Sequence, residues 1–214
     1  MFAKLALALS FAVVVTGVVR YRWLTLPFKL LTIYLFVDFL IDTSNSFYIP
    51  IFKNNIGLSH AQAIIDYIFY ALVYYYLFKG KHIKKLVLFS IIMIIILFII
   101  NTLFLQPYNK AFPTNVILAS LVLYVLFAVL LYKQMLLYPL QINITEQSIF
   151  WFNTAMLFFS TTMFLNLALM NYYIQQNHPY TIASFFWYSI DIVFSVLFGI
   201  TILMDKKGTA TANE

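Results

Sequence analysis

The sequence contains no cysteine, so disulfide bonds, thiolate nucleophiles and thiolate metal ligands are all excluded. Charged side chains are also scarce. They make up 9% of the 214 residues, whereas a soluble domain carries about 25%. With so few charges, the chain lacks the polar surface that a water-soluble domain of this length needs. These absences indicate a protein whose surface faces lipid.

Hydrophobic residues take the place of the missing charges. They account for 64% of the chain, and aromatic residues alone for 20%. They form runs close to the length of about 20 residues that a helix needs to cross a bilayer. The run at 86–100 is apolar on every face, unlike the alternating strands of a membrane β-barrel.

The apolar runs predict an all-α fold, an integral membrane seven-helix bundle formed by residues 1–204 and followed by a short polar tail at 205–214. The seven expected spans lie at 3–19, 24–42, 61–78, 85–105, 115–137, 148–174 and 182–204. The sequence also places all six prolines at or beyond span ends, where a missing amide proton costs least.

The distribution of basic residues predicts the orientation of the bundle. Cytoplasmic loops of membrane proteins carry an excess of Lys and Arg. One predicted side holds ten basic residues and the other holds three. The ten are Arg20, Arg22, Lys29, Lys79, Lys81, Lys84, Lys85, Lys133, Lys206 and Lys207, and the three are Lys4, Lys53 and Lys110. We therefore expect the N-terminus outside and the C-terminus in the cytoplasm.

Short loops and missing motifs restrict the location of any function. No loop exceeds roughly 20 residues, and neither a P-loop nor a dinucleotide-binding glycine motif occurs. Although the net charge is +6, the cations lie at the ends of apolar runs, so nucleic acid is not an expected partner. We expect no cofactor, and we place any site inside the bundle or at its mouth.

Four acidic residues lie in or beside the predicted spans, namely Asp38, Asp42, Asp66 and Asp191. An ionised Asp at bilayer depth costs at least about 2.5 kcal/mol, so such residues normally face the bundle interior and mark functional sites. In the predicted orientation all four fall between the outer surface and the bilayer centre. The sequence thus predicts a polar cavity that opens to the outside.

Helical spacing adds residues to this predicted site. In the last span Ser184, Tyr188, Asp191, Ser195 and Gly199 form one stripe of a 3.6-residue period. In the third span Gln62, Asp66, Tyr70 and Tyr74 step by four. The residues expected to bind a ligand or proton are Asp191, Tyr188, Ser195, Asp38, Asp66 and Asn166. No catalytic residue is assigned.

Structural explanations compete with a functional one for several of these residues. The polar residues of the sixth span fit packing between helices, and Asp42 fits a wet helix end. Asp191 has no Lys or Arg in the membrane to pair with, so a protonated, hydrogen-bonded Asp is the alternative to a site. His60, Asp66 and Asp38 are acceptable metal ligand types, but no diagnostic spacing supports a metal site.

The stretch "NNIGLSHAQAIIDYIFYALVYYYLF" at 54–78 resembles a segment of uncharacterised small seven-transmembrane proteins of the Bacteroidota. The resemblance implies a multi-pass protein of a bacterial inner membrane, and it brings no known activity. Rhodopsins share the seven-span arrangement. They require a Schiff-base lysine in the last span, and residues 182–204 contain none.

Three functions fit these observations. The first is a receptor-like or sensory protein that binds a small or lipidic ligand and signals through a cytoplasmic or membrane partner. The second is a proton- or cation-coupled carrier in which Asp191 and Asp38 change protonation. The third is an intramembrane lipid hydrolase of the lysoplasmalogenase type, although no motif marks its base. We favour the first, and we lean against an enzyme.

Overall fold

The computed structural model describes residues 2–52, 56–108, 110–140, 142–175 and 181–205. Over these ranges the regular structure is helical, with no strand. The seven α-helices are α1 (Phe2–Arg20), α2 (Leu26–Phe52), α3 (Ile56–Leu77), α4 (Lys81–Ile100), α5 (Thr114–Leu137), α6 (Ser148–Gln175) and α7 (Thr181–Met204). The all-α fold and its seven helices, expected from the apolar runs, are confirmed.

The largest difference from the predicted boundaries concerns α2, which continues to Phe52 rather than ending at residue 42. The prediction followed hydropathy, which falls at residues 42–46. A helix continues through polar residues because its backbone hydrogen bonds do not depend on apolar side chains. Pro50 therefore lies in the last turn of the helix, not beyond it. Pro179 lies outside the described residues.

Six of the seven helices are long and apolar enough to cross a membrane. The exception is α2, whose first 19 residues carry Lys29, Asp38 and Asp42. Exposed apolar side chains are frequent on the other helices, and Phe89 on α4 keeps 63% of its surface exposed. These features identify a multi-pass membrane protein.

The chain divides into two compact units, which we describe separately. Unit 1 comprises Met1–Thr25 and Tyr124–Glu214, and it contains α1, the second half of α5, α6 and α7. Unit 2 comprises Leu26–Leu123, and it contains α2, α3, α4 and the first half of α5.

In unit 1, α1 and α7 are parallel, as contacts along their lengths show. The rings of Phe2 and Phe185 lie 4.8 Å apart at one end, and Arg20 donates a hydrogen bond to the Asp205 carbonyl at the other. The start of α1 and the end of α7 therefore lie at opposite ends of the unit. An odd number of membrane crossings requires this arrangement.

Helices that follow one another in the chain run antiparallel within each unit. In unit 1, the ring of Phe159 on α6 stacks on that of Phe194 on α7 with centroids 4.4 Å apart. In unit 2, the Tyr67 hydroxyl on α3 donates a 2.7 Å hydrogen bond to Ser90 on α4. Short connections favour this antiparallel packing of successive helices.

α1 and α7 approach each other closely at Gly199. A Cβ atom at this position would lie 3.5 Å from Cγ2 of Val13, an ordinary van der Waals contact. We therefore expect Gly199→Ala to be tolerated and Gly199→Leu to lower the free energy of unfolding by about 1 to 3 kcal/mol through overpacking. Reversible unfolding in mixed micelles measures both values.

Val196→Leu is the matched control, because Val196 is on the same helix and keeps 46% of its surface exposed. This control should unfold as the wild type does. If Gly199→Leu were as stable as the control, the close α1–α7 approach would be contradicted.

Candidate functional site

Facing polar stripes on α2 and α3 form the most developed polar cluster of unit 2. On each helix the polar residues are four positions apart, which places them on one face. We call the set the polar ladder, and it consists of Tyr34, Asp38 and Asp42 on α2 and Gln62, Asp66 and Tyr70 on α3.

Direct hydrogen bonds join the two sides of the polar ladder. The Gln62 amide donates to Oδ1 of Asp38 at 2.9 Å, and the Tyr34 hydroxyl donates to Oδ1 of Asp66 at 3.0 Å. The Gln62 amide also interacts with the Asp42 carboxylate. The rings of Tyr34 and Tyr70 lie 4.6 Å apart and close the deep end. Antiparallel packing thus brings Asp38 and Asp66 into one cluster.

The polar ladder becomes more enclosed from one end to the other. Asp42 is exposed, Asp38 and Asp66 are half-buried, and Tyr34 and Tyr70 are buried. Among the described residues, exposure along the polar ladder is therefore greatest at Asp42.

The partners that the structure shows for Asp38 and Asp66 are neutral groups rather than cations. The one basic residue in the described side chains of α2 is Lys29, more than two turns before Asp38, and α3 contains no Lys or Arg. Half-buried carboxylates whose hydrogen-bond partners are neutral favour the uptake of protons or the binding of a cationic group.

His60 is also on α3, but it contacts the α4–α5 connection and is not part of the polar ladder. It is fully buried, its Nε2 lies 2.8 Å from the Ala111 carbonyl, and its Nδ1 lies 3.4 Å from the Thr102 hydroxyl. Both ring nitrogens are therefore engaged in holding the α4–α5 connection. In the part of the chain that the structure describes, no group of three or more metal-ligating side chains converges.

A second polar cluster lies in the same connection between α4 and α5. After α4 the chain makes a π-helical turn, Asn101–Leu105, which lies within the predicted fourth span at 85–105. Buried Asn101 donates to Gln106 at 3.0 Å and accepts from Asn115 at 2.9 Å. This cluster was not predicted, because Asn and Gln near a span end are hard to distinguish from ordinary loop residues.

The other predicted site residues belong to unit 1. On α7, Asp191 is half-buried, Tyr188 keeps 37% of its surface exposed, and the Ser195 hydroxyl lies 3.3 Å from that of Ser10 on α1. The side chain of Ser184 lies outside the described residues. The expected inward stripe therefore packs against α1 at Ser195 and Gly199. A ligand role for Asp191 stays a prediction.

Asn166 on α6 is buried, with 2% of its surface exposed. Its amide nitrogen lies 3.9 Å from the sulfur of Met163. Among the residues that the structure describes, its Oδ1 has no hydrogen-bond partner. A buried amide oxygen without a donor is unusual. A single cavity that joins Asn166 and Asp191 with Asp38 and Asp66 of unit 2 also stays a prediction.

Asp205 forms a third polar cluster, at the end of α7. Its carboxylate accepts hydrogen bonds from the Thr25 amide at 2.6 Å, from the Thr25 hydroxyl at 3.1 Å and from the Ser148 hydroxyl at 3.2 Å. Its carbonyl accepts from Arg20 at 3.0 Å. We call Arg20, Thr25, Ser148 and Asp205 the Asp205 clasp. It joins the ends of α1 and α7 to the start of α6.

The sequence assigned Asp205 to the polar tail, whereas in the structure the residue is buried and keeps 3% of its surface exposed. Burial raises the pKa of its carboxyl above the ordinary value, although the hydrogen bonds from Thr25 and Ser148 and the charge of Arg20 oppose the shift. No sequence signal distinguished Asp205 from the polar residues after it. Tyr34, by contrast, could have been found, because it precedes Asp38 by one helical turn.

Comparison of the chain with protein-family models, with curated proteins and with solved structures gives no significant match. The arrangement of these side chains is therefore the basis for a functional proposal.

The raised pKa of Asp205 predicts a pH-dependent stability. The folded state holds the proton at Asp205 more tightly than the unfolded chain, whose carboxyl has a pKa of about 3.9. The contribution of this group should be greatest below that pH and should fall as pH rises through the raised pKa. Asp205→Asn removes the titration. Denaturant unfolding across pH should therefore show the wild type losing stability relative to the variant over that window.

Glu146→Gln removes an exposed carboxylate outside the Asp205 clasp and is the control for the loss of one negative charge. A wild type that gained stability relative to Asp205→Asn as pH rose would contradict the expected direction.

Proposed function

We propose that the chain is a multi-pass membrane protein of the receptor-like or sensory class, with the polar ladder as its ligand-binding site. The observation that carries the proposal is the pairing of Asp38 and Asp66 with neutral groups on facing helices. Two half-buried carboxylates so arranged favour a small or lipidic ligand with a cationic or hydrogen-bond-donating group.

Access to the site supports this assignment. The polar ladder is exposed at Asp42 and enclosed at Tyr34 and Tyr70, so a ligand group would enter at one end and stop at the tyrosines. The positive-inside rule places the Asp42 end outside the cell, because the lysines at 79–85 lie at the other end of α3. The proposed receptor therefore samples the outer face of a bacterial inner membrane.

Signalling by such a receptor requires a partner. The loops are short and the described chain is nearly all helix, so the response would pass as a helix shift to a cytoplasmic or membrane protein. The α2–α3 pair is suited to this shift because its cross-helix contacts include polar bonds that a ligand could replace.

Asp66→Asn tests the site directly. It preserves shape and the hydrogen bond with Tyr34, but it removes the charge. Hydrogen bonds to charged groups contribute about 1.5 to 3 kcal/mol. We therefore expect the variant to bind the ligand at least about tenfold more weakly than the wild type and to retain correspondingly less of it. Native mass spectrometry of protein purified in mild detergent measures the retained molecule directly.

Glu146→Gln is again the matched control, since it removes one exposed carboxylate outside the seven α-helices. The receptor proposal fails if the wild type carries no small molecule or protein partner, or if Asp66→Asn retains the same molecule at equal occupancy.

A proton- or cation-coupled carrier is the second candidate. It is favoured by the one-turn spacing of Asp42, Asp38 and Tyr34 along α2, which would allow a proton to pass between successive groups. In this reading the carboxylates change protonation during transport rather than holding a resident ligand.

Proteoliposomes under a proton gradient separate the two candidates. A carrier would show gradient-dependent uptake, and Asp38→Asn should reduce it at least about tenfold because the neutral side chain no longer takes up a proton. Asp191→Asn, in the other unit, tests separately whether α7 takes part. Uptake at the wild-type rate in both variants would exclude the carrier mechanism through these acids.

A further inference from the structure

The end of unit 2 that is farthest from the Asp42 opening carries a concentration of positive charge. α3 ends at Leu77 and α4 begins at Lys81. We call the four lysines at this turn the lysine cluster, and they are Lys79, Lys81, Lys84 and Lys85. Three of them are exposed, and Lys84 is half-buried with its ammonium 5.2 Å from the centre of the Tyr75 ring.

No acidic residue of unit 2 lies near enough to neutralise this charge. The sequence contains no Asp or Glu between Asp66 and Glu146. The acids of unit 2 belong to the polar ladder, and the nearest along the chain, Asp66, is separated from Lys79 by about 20 Å of helix. That distance exceeds the screening length of about 8 Å at physiological salt. Unit 2 thus has no Asp or Glu beside the lysine cluster.

The lysine cluster borders an exposed apolar surface. Immediately after Lys85, Leu86, Leu88 and Phe89 are exposed on α4, and Tyr76 is exposed on α3. An ordinary soluble anion would use only the cationic part of this surface. A lipid would use both parts, with its headgroup at the lysines and its chains along the apolar side chains of α4.

We propose that the lysine cluster binds the phosphate of an anionic membrane lipid, whose acyl chains lie against Leu86 and Phe89. Free phosphate carries a negative charge as the lipid headgroup does, but it would not contact the adjoining apolar surface. We therefore favour the lipid. The positive-inside rule places the site in the cytoplasmic leaflet, where anionic lipids give the surface a negative potential. This site is independent of the polar ladder and of its proposed ligand.

The test uses the full chain, exchanged into mixed micelles that contain equimolar phosphatidylcholine and phosphatidylglycerol. Native mass spectrometry then counts the lipids of each kind that remain bound. We expect the wild type to retain phosphatidylglycerol preferentially. The triple variant K81Q/K84Q/K85Q should bind it roughly tenfold or more weakly, because each lysine near an anionic surface contributes to the attraction.

Two matched variants separate local charge from net charge and from folding. K81R/K84R/K85R keeps the charge and should keep the preference. K4Q/K110Q/K133Q removes three exposed cations elsewhere and should also keep it. Helix content by circular dichroism checks that each variant is folded. Equal phosphatidylglycerol retention by the Gln triple variant and the wild type, or equal loss in K4Q/K110Q/K133Q, overturns the proposal.

The wild type alone gives a further test that needs no folded variant. Sodium chloride at about 1 M shortens the screening length to about 3 Å and should abolish the preference for phosphatidylglycerol. A preference that survives this salt overturns the proposal. At an ionic strength of about 0.15 M, where the preference should persist, sodium phosphate should displace no more lipid than sodium chloride does. Greater displacement by phosphate would show that the site takes the free anion, and the lipid assignment would fall.

Discussion

Polar side chains that lie among apolar helices need partners, because lipid supplies no hydrogen bonds. In each of the three polar clusters described above, the hydrogen-bond partners come from separate segments of the chain. The polar ladder joins α2 to α3, His60 and Asn101 hold the α4–α5 connection, and the Asp205 clasp joins three helix ends of unit 1. Each cluster therefore fixes where segments meet.

The chemical character of the clusters differs with the charge they contain. The Asn101 cluster is neutral and mutually satisfied, so it is structural. The Asp205 clasp includes Arg20 as a counter-charge. The polar ladder places carboxylates beside neutral groups, and this imbalance is why we assign it the ligand site. In unit 2 the acids lie towards one end and the lysine cluster lies at the other, so charge is separated along the helices.

A few contacts between residues far apart in the sequence show the relative direction of the helices. α1 and α7 run parallel in unit 1, with Gly199 allowing their close approach. This parallel pair places the start of α1 and the end of α7 at opposite ends of unit 1. Which end faces the cytoplasm rests on the positive-inside rule.

The sequence by itself determined the helical class, because the apolar runs have lengths that follow from the thickness of a bilayer. It also located Asp38 and Asp66 as site candidates, since charge at bilayer depth is costly. Only the tertiary structure decided which partners these residues meet. Tyr34 and Gln62 reach them across an antiparallel pair, and Asp205 is buried by segments far away in the chain. Local pattern fixes the face of a helix, whereas packing fixes what that face meets.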